Sequence, residues 1–209
     1  MTDLKLEKGT FDKLSAGSGL VIVAHPDDET IWMGGTILKF KNIKWTIFSL
    51  CRANDKDRAH RFEKACKACH AKSIISDLED DGIMSIHQSI SEIKKRTKRL
   101  LKQRHFTYIF THGYNGEYGH PRHRGVHRAV KQLIKEKRLS AENIFTFTYN
   151  FCERRKCAVP NRKARWSVKI SPALLKQKKN IIRTIYGFQP SSFESKSCSR
   201  IETFNLLSL

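Results

Sequence analysis

No stretch of this chain approaches the roughly 20 consecutive apolar residues that a membrane-spanning helix needs. The opening segment, MTDLKLEKGTFDKL, mixes acids with lysines and lacks the apolar core of a secretory signal. Cysteine is sparse and irregularly spaced, six in 209 residues, with no signal for export to an oxidising compartment. These cysteines read as reduced thiols, and the expected location is cytoplasmic. There is no internal repeat, low-complexity tract or linker, so one domain over residues 1–209 is expected. Acid is the scarce charge. Twenty Asp and Glu face 40 Lys and Arg, a formal net charge of +20. That excess points to an anionic substrate, nucleic acid or an acidic surface, with solvated lysine faces as the plain alternative.

What is present indicates a folded chain. Hydrophobic residues make up 39%, with 12 Phe and 3 Trp, enough to bury a core without disulfides. The charge is unevenly placed: residues 1–50 hold six bases and six acids, whereas residues 151–209 hold 13 and three.

Residues 19–24 form a short, β-branched apolar run that reads as a strand buried on both faces. It ends in His25-Pro26-Asp27-Asp28-Glu29, and a helix is expected to open near the Gly34-Gly35 pair. Further strands are expected over 45–51, 73–77, 106–111, 143–149 and 165–170. Helices are expected over 58–72, 86–104, 122–137 and 172–186, the last with proline in its first turn. This alternation predicts an α/β fold, a Rossmann-like three-layer sandwich with a mostly parallel sheet. Such sheets place their sites beyond the carboxyl ends of strands.

Two polar clusters sit at such ends. Three acids behind His25 repel one another unless a cation or hydrogen-bond donors offset them. A divalent metal does so; an acidic turn with Asp27 or Asp28 capping the next helix also does. The second cluster runs from Glu117 through Tyr118, His120, Arg122 and His123 to His127. His123 and His127 share a face if a helix opens near Arg122. A His/Asp/His set leaves an open position for water, as catalytic zinc requires. The alternative is histidines solvating a basic helix N-terminus.

The string Ala24-His-Pro-Asp-Asp-Glu29, with Gly34-Gly35-Thr36 after it and Gly-Glu-Tyr-Gly-His-Pro-x-His later, resembles the PIG-L/LmbE-type zinc-dependent N-deacetylases. These act on N-acetylglucosamine groups in glycolipids, thiol cofactor precursors and antibiotics. The resemblance covers roughly residues 19–135. It implies His25, Asp28 and His123 as ligands of Zn²⁺ or another divalent metal, and Asp27 as general base. It further implies His120 as a charged imidazole that stabilises the intermediate and protonates the leaving amine, and Tyr118 as a mobile oxyanion contact. Glu29 would orient a ligand or its loop. Arg61 and Asp81 fall where the family contacts substrate, Glu63 where it carries a helix glutamate, and Gln189 where it has a late glutamine. The family most often has Asp where Arg122 stands, so a positive group lies beside the site. That exchange either lowers metal affinity or anchors a substrate anion.

The expected function is therefore metal-dependent removal of acetate from an N-acetylglucosamine-type sugar in an anionic conjugate. The alternatives are an amidase for a larger acyl group and a basic nucleic-acid-binding protein with a degenerate site. Nucleic acid is the weaker partner, because no helix-turn-helix, RNP or finger motif accompanies the basic runs. Cys66-Lys-Ala-Cys69-His70 matches a c-type haem attachment pattern but lies inside a helical pattern. Cys152 and Cys157 could join that pair only as an irregular four-cysteine zinc site.

Overall fold

Leu20, Val21, Ile22 and Val23 are all fully buried, which a strand achieves only when both sheet faces are covered. The computed structural model describes residues 9–10 and 13–209 and shows how that covering is built. In chain order the elements are β1 (Gly9–Thr10), β2 (Gly17–Val23), α1 (Asp28–Lys39), β3 (Ile43–Cys51), α2 (Lys56–Ala68) and β4 (Lys72–Leu78). Then come α3 (Ile86–Leu100), β5 (His105–Thr111), α4 (Gly116–Gly119), α5 (Pro121–Lys135) and β6 (Ser140–Phe147). The remainder comprises β7 (Tyr149–Cys152), β8 (Cys157–Pro160), β9 (Trp166–Lys169), α6 (Pro172–Asn180), α7 (Phe193–Ser197) and β10 (Ile201–Leu206). A π-helical turn, Ile181–Ile185, extends α6.

Eight strands form one sheet in the order β1-β9-β10-β6-β5-β2-β3-β4, and β7 pairs with β8 in a separate hairpin. β10 runs antiparallel to both neighbours, β9 and β6; every other pair in the large sheet is parallel. Alternation along β2 sorts the core. Val21 and Val23 join Ile31, Trp32 and Ile37 of α1, Phe62 and Ala65 of α2, and Ile181 and Ile182. Leu20 and Ile22 face the other way, onto Ile90 and Ile93 of α3 and Val126, Ala129, Val130 and Leu133 of α5. The result is a three-layer α/β sandwich. From β2 the chain builds outward through β3 and β4, then crosses to β5 and β6 on the other side. The crevice between the carboxyl ends of β2 and β5 is thus the switch point where such sheets bind ligands.

The helix after β2 opens at Asp28, six residues before the glycine pair where the sequence places its start. Gly34-Gly35 serves a different purpose. The helix breaks at Met33, whose φ of −147° is not helical, and the break frees the next amides. Glu202 of β10 accepts from the Gly35 amide (2.8 Å), the Thr36 amide (2.7 Å) and the Thr36 hydroxyl (2.6 Å). A Cβ on Gly35 would fall 2.5 Å from Ile170 Cδ1 and 3.0 Å from Glu202 Oε1, so only glycine lets β10 approach. Lys178 of α6 lies 2.6 Å from Glu202, and both side chains are fully buried.

Other expectations shift at their ends. The strand expected over 143–149 divides into the end of β6 and the start of β7, and residues 101–104 of the expected third helix are not helical. β8, α7 and β10 were not anticipated. Cys66 and Cys69 pack in the first core, with burial pushing both thiols up, so the haem-like string is a buried helix face. Cys152 and Cys157 oppose each other across the β7–β8 hairpin. Among the described residues they join no cluster of three or more close ligand atoms. No helix of the described residues is long and apolar enough to cross a membrane.

Candidate metal centre and active site

β2 ends at Val23, and two residues later His25 emerges at the switch point; Asp28, in the first turn of α1, turns back towards it. From across the crevice α5 brings His123. Three donor atoms then converge: His25 Nδ1 lies 3.2 Å from Asp28 Oδ2 and 3.2 Å from His123 Nε2, and His123 Nε2 lies 3.4 Å from Asp28 Oδ2. A tetrahedral zinc with bonds of about 2.0–2.1 Å has ligand–ligand edges of about 3.3–3.4 Å. The residues therefore fit a divalent cation.

Each donor is held from behind. His25 Nε2 is 3.0 Å from Asp80 Oδ1, and His123 Nδ1 is 2.6 Å from Glu117 Oε2. These contacts point His25 Nδ1 and His123 Nε2 into the triangle, the usual arrangement behind metal-ligating imidazoles. Trp32 Nε1 donates to Asp28 Oδ1 (2.8 Å) and the His25 amide to Oδ2 (2.8 Å), which fixes the carboxylate with Oδ2 in the triangle.

Asp27 occupies the cap of α1 with φ at 114°, a conformation that non-glycine residues hold only when the surroundings enforce it. Its side chain lines the pocket and meets Arg58 Nη1 at 3.2 Å. Burial, with Asp28 adding to it, pushes the Asp27 pKa well above the ordinary carboxylate value, against the opposing pull of Arg58. Glu29 turns away from the triangle. It accepts from the Asp27 amide (3.1 Å), the Thr30 hydroxyl (2.5 Å) and the Tyr186 hydroxyl (2.7 Å), so it fixes the loop rather than a ligand.

His120 caps α5 and lines the same pocket. Burial and the neighbouring His123 and His25 lower its pKa to about 4. Its Nδ1 accepts from the Arg122 amide (3.2 Å), which requires the neutral ring with hydrogen on Nε2. Tyr118 is 36% exposed, stands edge-on to His123 and packs on Phe193. Burial and the Asp28 and Asp27 carboxylates raise its pKa, so it carries its proton.

The pocket is small, about 180 Å³, and is walled by Ile31, Trp32, Tyr118 and Phe193 with Arg52, Arg58 and Glu194 at its polar side. Three residues expected to meet substrate lie elsewhere. Arg61 bonds Asp57 (2.7 Å) and the carbonyls of Ile185 and Tyr186, tying α2 to the π-helical turn. Asp81 is largely exposed, while its neighbour Asp80 faces His25. Arg122 is 4% exposed and its guanidinium donates to Glu79 (3.0 Å) and to the Met84 carbonyl (3.4 Å). Glu63 and Gln189 are likewise absent from the pocket wall.

Sequence reading missed His112, Arg52, Arg58 and the walls from α7, and within the Asp80-Asp81 pair it chose the exposed residue. The signal for His112 was its position: it follows β5 directly, as His25 closely follows β2, its paired neighbour. Arg58 precedes Arg61 by one helical turn and so reaches the sheet's carboxyl end. A larger cavity of about 920 Å³ runs along α6, lined by Lys176, Lys179, Arg183 and Arg200, and shares no residue with the site.

The family model for GlcNAc-PI de-N-acetylase (PIG-L) matches residues 20–134, which carry every donor of the triangle. The chain belongs to this family. A family match of that extent makes it a member of a deacetylase family whose enzymes are generally metal-dependent. A mimivirus relative, Uncharacterized protein L374 of Acanthamoeba polyphaga mimivirus, is 25% identical over 147 residues. That alignment covers 63% of this chain and 61% of the viral protein, so the chain spans about three-fifths of that relative's length. Two solved structures share the fold. The conserved protein TT1542 from Thermus thermophilus aligns with TM-score 0.66 at 18% identity, over 91% of this chain and 96% of that one. The N,N'-diacetylchitobiose deacetylase from Pyrococcus horikoshii aligns with TM-score 0.60 at 16% identity, over 90% and 83%.

Proposed function

We propose that the chain removes acetate from an N-acetylglucosamine-type sugar carried in an anionic conjugate. The observation that carries this reading is the His25/Asp28/His123 triangle with an unliganded carboxylate, Asp27, beside it. His25, Asp28 and His123 would hold a divalent cation, zinc by donor set and edge length. When bound, such an ion lowers the pKa of a nearby water and polarises the acyl oxygen.

The chain's own groups then divide the work. Asp27, raised in pKa by burial, takes one proton from water as its oxygen attacks the amide carbon. His120 Nε2–H and the Tyr118 hydroxyl face the pocket and donate to the oxygen on which negative charge develops. As the C–N bond breaks, Asp27 returns its proton to the departing nitrogen, leaving the free amino-sugar; acetic acid loses its proton to solvent. Arg58 holds Asp27 towards the pocket.

Arg52 and Arg58 line the pocket while paired with Asp80 (3.0 Å) and Asp27 (3.2 Å), and their remaining guanidinium hydrogens support an anionic substituent on the substrate. The six free cysteines support a cytoplasmic setting. The test is acetate release from neutral and phosphorylated N-acetylglucosamine derivatives at low salt. Faster turnover of the phosphorylated compounds is expected; equal turnover would reject the anionic part of the reading.

A further inference from the structure

Glu117 and His112 neither bind the substrate nor carry a proton in the reaction above, yet both are fully buried at its centre. Glu117 sits at φ 59°, ψ −58°, a strained conformation for any residue with a side chain, between Gly116 and Tyr118. Its carboxylate collects three donors: the Gly113 amide at Oε1 (2.7 Å), and His112 Nδ1 (2.7 Å) and His123 Nδ1 (2.6 Å) at Oε2. The His112 ring stacks on that of His123, with centroids 3.8 Å apart and planes 22° from parallel. Its Nε2 accepts from the Ala24 amide at 3.0 Å, which leaves hydrogen on Nδ1 and directs it to Glu117. The same nitrogen lies 3.4 Å from Asp28 Oδ2, so His112 borders the donor triangle directly.

On the opposite side lies Arg122, which is 4% exposed. Its guanidinium is drawn off to Glu79 and approaches Asp80 at 3.9 Å. An arginine there cannot accept a hydrogen from an imidazole. We infer that Glu117, held in its strained conformation by His112, is the positioning carboxylate that fixes the ring and tautomer of His123. Arg122 instead clamps the 79–84 turn that presents Asp80 to His25. The inference rests on the proposed metal-dependent reading only in what His123 is positioned for. The geometry of the network stands without it.

The experiment uses the full chain and two readouts. The first is the His123 tautomer by ¹⁵N NMR of the metal-free protein, and the second is Zn²⁺ affinity by competition with a chromophoric chelator. Wild type is expected to hold hydrogen on His123 Nδ1. Glu117→Gln is expected to mix the tautomers and to weaken Zn²⁺ binding 10–100-fold, the usual cost of losing such a partner. His112→Phe keeps the stacked ring but not the donor, and is expected to shift both readouts in the same direction by less. It serves as the test if Glu117→Gln does not fold. An unchanged His123 tautomer in either folded variant overturns the inference. A wild type with the expected tautomer but no Zn²⁺ binding overturns the metal reading and upholds the role of Glu117.

Discussion

Replacing Glu202 by Gln tests whether the carboxyl-terminal strand supports the site. The side chain is fully buried and accepts from two amides, one hydroxyl and the Lys178 ammonium, at 2.6–2.8 Å. Gln keeps the shape but leaves Lys178 charged, buried and without its counter-ion. Removing one partner of a buried pair costs about 3–5 kcal/mol. Against a typical domain stability of about 5–15 kcal/mol, that is a large share. At about 2–4 °C per kcal/mol for a chain of this size, the melting temperature should fall by roughly 6–20 °C. The reverse variant, Lys178→Met, leaves Glu202 with three donors still in place. It should cost less, about 1–3 kcal/mol, since only one charge-assisted bond is lost. The double variant should recover part of the loss seen in Glu202→Gln, because no unpaired charge remains. Urea and thermal unfolding of the four proteins closes the cycle. A Glu202→Gln cost under about 1 kcal/mol, or Lys178→Met as the worse variant, would refute the reasoning.

Three further outcomes concern the site and its surroundings. Burial would raise the Asp80 pKa, but the His25 hydrogen bond outweighs it and holds the group at about 2. A depressed carboxylate stabilises above its unfolded pKa, so this contribution is present above about pH 4 and is lost as pH falls towards 2. Asp80→Asn should therefore cost up to about 2 kcal/mol at neutral pH. Its unfolding free energy should converge with wild type near pH 2, and a difference constant from pH 7 to 2 would exclude the account. Arg58→Ala should raise KM for an anionic substrate and alter kcat through Asp27. Arg61→Ala should cost about 0.5–1.5 kcal/mol in stability with KM unchanged, and the opposite pattern would return Arg61 to the site.

The parallel core of the fold was legible because doubly covered strands are written as unbroken apolar runs, as in residues 19–24 and 106–111. The helix start was legible only through the capping alternative at Asp27 or Asp28, not through periodicity. Asp28, Glu29 and Thr30 are polar and buried, so hydrophobic periodicity assigns them to a loop although they form the first turn of α1. The same cause hid β10: Glu202 points inward where an apolar residue would signal a strand. The triangle itself could be assembled from motif spacing. Its supports could not, since Glu117, His112 and Asp80 gain meaning only from contacts across the crevice. Between Asp80 and Asp81 the sequence offers two like residues, and only the chain's turn shows which one faces His25.

The central claim is that His25, Asp28 and His123 hold one metal ion that Asp27 needs for amide hydrolysis. The direct measurement is acetate release from an N-acetylglucosamine conjugate as Zn²⁺ is titrated into chelator-treated protein, for wild type and Asp27→Asn. Wild-type activity should rise with bound zinc and level off at equimolar metal. Asp27→Asn should bind the metal and release acetate at least about 10²-fold more slowly. Undiminished acetate release without metal, or from Asp27→Asn, would contradict the account.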